Sequence, residues 1–167
     1  AMTTKDAIGA KILTLEGLTT LLQIWKLRQF KTVFTNGCFD LLHFGHLTYL
    51  MEAKTLGQKL IIGLNSDNSV KRLKGASRPI KDQHSRSWLL ASMVYVDAVV
   101  IFEEDTPENL IRSITPDVLV KGGDYSPDQI VGAQWVRAHG GDVKILPFIE
   151  GYSTTALEQK IVSAARP

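Results

Sequence analysis

The sequence predicts an open α/β domain, a parallel five-stranded sheet with helices on both faces, and three observations predict it. Five short runs, Thr32 to Asn36, Lys59 to Leu64, Ala98 to Phe102, Val118 to Lys121 and Val143 to Pro147, are rich in Val and Ile, the pattern of strands buried on both faces. The segments between them carry helix punctuation. Strand and helix therefore alternate along the chain, which calls for right-handed crossovers. In such a sheet ligands bind beyond the carboxyl ends of the strands, where the strand order reverses.

Taken in order, residues 1 to 30 are expected to form a tail and one amphipathic helix, in which Leu18, Leu21, Leu22 and Trp25 recur at helical spacing. Residues 31 to 167 form the domain on which that helix packs. After the first strand, Leu47, Leu50 and Met51 mark a helix, and Gly57 closes it. Thr106-Pro107 and Ser126-Pro127 each place a capping hydroxyl before a proline at the first helical position. Gly140-Gly141 stops the helix that holds Trp135 and Val136.

Composition narrows the class. With 167 residues, 44% hydrophobic and 22% charged, the chain can bury one good core and is too short for two full domains. Its one cysteine, Cys38, rules out an internal disulfide framework and any multi-cysteine metal site. No run reaches the roughly 18 apolar residues of a membrane span, and Ala1 to Lys11 lacks a secretory apolar segment, so a cytoplasmic location is expected. A net charge of +2 argues against a nucleic-acid partner, but its distribution is uneven: residues 71 to 86 carry +5 and the rest of the chain −3. That window, with Lys71, Arg72, Lys74, Arg78, Lys81 and Arg86, suits a small polyanion; a solvated loop is the alternative.

Neither a Walker-type G-x-x-x-x-G-K-[ST] loop nor a G-x-G-x-x-G fingerprint occurs, so a bound nucleotide needs another phosphate cradle. The segment Asn36-Gly37-Cys38-Phe39-Asp40-Leu41-Leu42-His43-Phe44-Gly45-His46 leaves the first strand and enters a helix. Two imidazoles three residues apart share one face of that helix, beside free N–H groups and the positive end of the dipole, and together make an anion site. Gly45 lets a ligand approach the backbone. Half of a metal site, or a pair of capping histidines, would read the same way; the metal reading lacks an adjacent Glu and a third ligand. Ser153, Thr154 and Thr155 open the last helix with three hydroxyls, more than a cap requires.

The His43-Phe44-Gly45-His46 segment and the Asn-Gly-Cys-Phe-Asp before it resemble the H-x-G-H signature of the nucleotidyltransferase superfamily, cytidylyltransferase-like branch. The likeness runs on through Asn65-Ser66-Asp67, Leu73-Lys74-Gly75, Arg78-Pro79, Val96-Asp97, Val120 to Tyr125 and Gly151 to Thr155, covering roughly Lys31 to Ile161 and looking most like the heptose branch.

The resemblance implies a Rossmann-like sheet of strand order 3-2-1-4-5. It implies transfer of AMP from ATP to D-glycero-β-D-manno-heptose 1-phosphate, giving ADP-heptose and pyrophosphate for lipopolysaccharide precursor synthesis. A stand-alone transferase is expected, since the chain has no room for a fused sugar kinase. His43, His46, Lys74 and Lys121 are implied as catalytic. Asn36, Gly37, Cys38, Phe39, Asp40, Gly45, Asp97, Gly151, Tyr152, Ser153, Thr154 and Thr155 would bind the nucleotide, with Cys38 otherwise a packing residue. Asn65, Asp67, Arg78 and Asp124 would bind the sugar phosphate, although Asp67 equally suits a helix cap. Mg²⁺ would arrive with ATP, with no resident metal. Partners are the two small substrates, without nucleic acid or membrane; self-association is left open. Where many relatives carry an arginine, Phe148, Ile149 and Glu150 precede Gly151, so the counter-charge for the β and γ phosphates falls to Lys121 or Mg²⁺. The alternatives are a cytidylyltransferase acting on CTP with glycerol 3-phosphate or another alcohol phosphate, and a nucleotide-binding module without catalysis.

Overall fold

Residues 1–167 are described by a computed structural model, in which six parallel strands form one sheet. In chain order the elements are α1 (Thr4–Gly9), β1 (Ile12–Leu13), α2 (Leu15–Leu27), β2 (Thr32–Gly37), α3 (Phe44–Thr55), β3 (Lys59–Asn65), α4 (Asp67–Lys74) and α5 (Gln83–Ala91). They continue with β4 (Ala98–Phe102), α6 (Glu108–Ile114), β5 (Val118–Gly122), a 3-10 turn (Pro127–Gln129), α7 (Ala133–Ala138), β6 (Asp142–Leu146) and α8 (Thr154–Ala165). The sheet order is β1-β4-β3-β2-β5-β6. The five expected strands take the expected order. The sixth, β1, pairs Ile12 and Leu13 with Val99 and Val100 of β4, and two residues are too few to show a strand period.

Both faces of the sheet are buried because neighbouring strand residues point to opposite sides. Phe34, Ile61, Val100 and Leu119 pack with Leu18 and Trp25 of α2, Leu110, Ile111 and Ile114 of α6, and Val136 of α7. Val33, Leu60, Ile62 and Val120 pack on the other face with Leu50 and Ala53 of α3 and Leu90 and Ala91 of α5. Burying each such aliphatic side chain contributes about 1.5 to 3 kcal/mol before the conformational entropy cost. Four expectations need correction. The first 30 residues hold a second helix, α1, and strand β1 rather than a tail with one helix. Ser126-Pro127 opens only the 3-10 turn, with no cap hydrogen bond from the Ser126 hydroxyl. Strand β6 lies at the sheet edge, so it alternates between exposed and covered positions and ends before Pro147. Helix α6 is entered through Pro107 itself, with no hydroxyl cap from Thr106.

The register locates the ligand crevice. Strands β2 and β3 stay paired from Thr32↔Lys59 to Gly37↔Leu64. Strands β2 and β5 pair only at Val33↔Val118 and Phe34↔Leu119. Beyond Phe34 the two diverge, and the chain order turns outward on either side of β2. This is the topological switch point, and its crevice opens at the carboxyl ends of the strands.

Candidate active site

The crevice holds a pocket of about 680 Å³. Its floor is the end of β2, Asn36 and Gly37, with Cys38 and Tyr49; its walls are the starts of α3 and α8, and Lys121 and Gly122 at the end of β5. The Tyr49 hydroxyl lies 2.6 Å from Thr35 Oγ1, and burial pushes its pKa up to about 12, so it is a neutral hydrogen-bonding group.

The histidines are set by the helix they open. His43 is the N-cap of α3, and its Nδ1 accepts the Gly45 N–H at 3.1 Å. His46 Nδ1 accepts the His43 N–H at 3.3 Å, completing a capping box built from two imidazoles. With both Nδ1 atoms accepting, each neutral ring carries its proton on Nε2. Capping and ligand donation are therefore compatible: one nitrogen serves the backbone and the other is left to donate into the pocket. The rings lie 3.9 Å apart, and Phe39 packs against His46 edge-on at 5.6 Å. Burial, with His43 and the lysines Lys74 and Lys81 nearby, pushes His46 down to about 4, and burial lowers His43 as well. The pair is neutral at physiological pH.

Two glycines and one strained residue build this geometry. A Cβ on Gly45 would sit 2.8 Å from Cε1 and 2.9 Å from Nδ1 of the His43 ring. The glycine thus makes room for the His43 ring, a closer constraint than the approach of a ligand. Phe39 has φ of 48°, costly for a side chain of this size, and is held there with its ring over Gly37, where a Cβ would meet it at 3.0 Å. Its role is to fix His46 from a buried position.

Two cations face the pocket without a carboxylate partner. Lys121 stands on β5, and burial pushes its ammonium pKa down; it lies 5.9 Å from the Tyr125 ring. Lys74 ends α4 and is exposed. On the far wall Ser153 caps α8, its Oγ accepting the Ala156 N–H at 3.0 Å, and Thr154 lies beside it. The two helix starts meet where Phe44 and Tyr152 pack edge to face, 5.4 Å apart. Cys38 is half-buried, burial pushes its thiol up, and its carbonyl accepts from Arg86.

Several residues expected at the site do other work. Asp97 stands at the amino end of β4, the opposite edge of the sheet, where Lys54 Nζ at 2.5 Å and the Leu60 N–H at 2.8 Å hold its carboxylate, and it does not line the pocket. Asp40 lies against the pocket, but its carboxylate is 2% exposed and taken by Arg78 at 3.0 Å and the N–H groups of Ile80 and Lys81. Burial would raise its pKa, and those donors outweigh burial and hold it low. Arg78 also pairs with Glu158. Asn65 is buried and donates to Ser69 Oγ, and Asp67 receives Arg86 at 2.8 Å. Asn65, Asp67 and Arg78 therefore do not line the pocket, and neither do Gly151 and Thr155. Asp124 does, with its carboxylate unpaired.

The basic window is consequently only partly a site. Arg72 pairs with Asp105, Arg78 with Asp40 and Arg86 with Asp67. Arg86 is fully buried and also donates to the carbonyls of Lys81, Cys38 and Asn65. It ties the ends of β2 and β3 to the start of α5. Sequence reasoning missed Tyr49, Tyr125 and Phe148 as pocket residues. Phe148 fills the space over Gly123, where a Cβ would come within 2.7 Å of its ring and φ is 108°. The glycine pair at the end of β5 was the available signal.

A family model described as cytidylyltransferase-like matches residues 34–159. The chain is 52% identical over 155 residues to the "Bifunctional protein HldE" of Geobacter metallireducens, covering 93% of this chain and 32% of that protein. It is 54% identical over 157 residues to the protein of the same name from Haemophilus ducreyi, covering 94% and 33%. The chain thus spans about a third of the length of these curated relatives. Among solved structures, the "lipopolysaccharide core biosynthesis protein from Thermoplasma volcanium" superposes with a TM-score of 0.58 at 30% identity, covering 74% of this chain and 99% of that one. A pantoate-beta-alanine ligase from Francisella tularensis shares the fold, with a TM-score of 0.58 at 15% identity over 88% of this chain and 75% of its own. No helix is long and apolar enough to cross a membrane.

Proposed function

Because this chain belongs to the cytidylyltransferase-like family, we propose that it transfers AMP from ATP to D-glycero-β-D-manno-heptose 1-phosphate, releasing pyrophosphate, in lipopolysaccharide precursor synthesis. The observation that carries the reaction class is the paired capping of His43 and His46, which leaves two neutral Nε2–H donors beside two unpaired lysines in the switch-point crevice. The sugar is supported by the heptose-branch motifs and by the lipopolysaccharide role in the name of the Thermoplasma volcanium protein.

In the reaction an oxygen of the sugar phosphate attacks the α-phosphorus of ATP. One P–O bond forms, the α–β bridging bond breaks, and its electron pair leaves with pyrophosphate. Two anions must meet in line, so the main demands are alignment and charge neutralisation. His43 and His46 donate to phosphate oxygens as charge builds in the transition state. Lys121 and Lys74 offset the combined charge, and the N–H groups at the start of α8 receive the outer phosphates. Thiol chemistry has no part, since the raised Cys38 pKa keeps it protonated. Mg²⁺ supplies further neutralisation when it arrives on the nucleotide, and Asp124 is the lining carboxylate with oxygens to spare, a donor set suited to an ion that keeps most of its waters.

The test is pyrophosphate release over a matrix of nucleotides and phosphorylated acceptors. ATP with the heptose 1-phosphate is expected to exceed CTP with glycerol 3-phosphate by at least about 10²-fold in kcat/KM, because polar groups built for a heptose are left unpaired by a shorter chain. The reverse order would keep the reaction class and overturn the substrates. Nucleotide binding without any turnover would leave a non-catalytic module.

A further inference from the structure

Helix α8 is the most weakly anchored wall of the site. None of its residues is buried, and it gives no side chain to either core. Yet Ser153 and Thr154 at its start line the pocket. Only Thr154, Leu157 and Glu158 in its first turns are half-buried, too small a packed face to fix a 12-residue helix by itself, so a further contact is needed to hold it in place. One turn in from Thr154, Glu158 pairs with Arg78. Arg78 reaches on to Asp40 at 3.0 Å, and Asp40 is buried and fixed by the N–H groups of Ile80 and Lys81 at 2.8 and 2.9 Å. The basic side chain that the sequence offers as a phosphate ligand is thus occupied on both sides by carboxylates.

We infer that Arg78 is a positioning residue, and that the chain Asp40–Arg78–Glu158 is a latch that fastens the start of α8 over the nucleotide phosphates. It rests on the proposed nucleotide site. Asp40 already orders the guanidinium, so pairing with Glu158 costs less side-chain entropy than an ordinary surface ion pair. Glu158 thereby sets the fraction of molecules with α8 docked, and the apparent nucleotide affinity scales with that fraction. Glu158 does not itself line the pocket.

The experiment compares wild type with Glu158→Gln and Glu158→Ala, the first keeping shape and losing only charge. Expected in both are an ATP dissociation constant raised about 5- to 20-fold, a parallel rise in KM for ATP, and kcat within about 2-fold. Amide hydrogen exchange without ligand should accelerate in residues 154 to 165 and stay unchanged in β2 and α3. Unchanged ATP affinity, or weakened affinity with unchanged exchange in α8, overturns the latch. If wild type binds no ATP, the substrate reading falls, while the ligand-free exchange still decides the latch.

Discussion

A histidine that caps a helix with Nδ1 has its donor nitrogen chosen for it, and this makes the roles of His43 and His46 separable by substitution. His43→Ala and His46→Ala are each expected to lower kcat by about 10² to 10³. His43→Ala also removes a cap, at about 1 kcal/mol, whereas His43→Asn keeps a good N-cap. In chemical denaturation the Asn variant should retain stability while turnover stays low; full activity in it would remove His43 from the chemistry. Nitrogen-15 spectra of the imidazoles at pH 7 should show both rings neutral and protonated at Nε2. With His46 near 4 in the folded state, against an ordinary 6.5, the unfolded chain binds the proton more tightly between those values. Stability contributed by the neutral ring is therefore present above about pH 6.5 and lost as pH falls toward 4, and the His46 resonance should titrate with that low midpoint. Cys38→Ser should keep most activity, since the thiol stays protonated and only its carbonyl is engaged.

At the level of elements, the segment from α4 to α5 divides its cations between structure and ligand. Arg86 is fully buried and donates to Asp67 and to three carbonyls from separate parts of the chain. Arg86→Ala leaves all of them unpaired and is expected to cost about 3 to 5 kcal/mol, read as a lower urea midpoint. Arg86→Lys should fare little better, because a single ammonium cannot reproduce the guanidinium fork. Lys74, by contrast, is exposed and unpaired at the pocket mouth. Lys74→Ala should leave the urea midpoint unchanged and raise KM for the anionic substrates about 10-fold, and an unchanged KM would return Lys74 to the solvated surface.

Across the whole molecule, one geometric event creates the site. Strand β2 keeps its partner β3 to the end but leaves β5 after Phe34, and the crevice between them collects the starts of α3 and α8 and the end of β5. Arg86 holds the ends of β2 and β3, and the Arg78–Asp40 pair holds the segment that follows β2. A nucleotide bridging the crevice should tie these parts together, so ATP is expected to raise Tm, and the increment should shrink in Lys121→Ala, measured with matched nucleotide and Mg²⁺.

The sequence by itself determined the five long strands and the helix start that carries the histidine pair, because hydrophobic period, capping residues and the H-x-G-H spacing are local signals; the strand order came from the family resemblance, and the two-residue β1 left no signal. The sequence also placed Lys74, Lys121, Asp124, Ser153 and Thr154, which do line the pocket. Tertiary structure alone decided the rest. Asp97 is not among these, for a residue directly before a strand of a parallel sheet stands at its amino end, away from the ligand edge. Asp40, Asp67 and Arg78 met partners 38, 19 and 80 residues away in the chain and were spent on one another. Whether a charged side chain is left for a ligand depends on which opposite charge the fold brings within hydrogen-bonding reach, and that pairing is long-range, so no local pattern contains it.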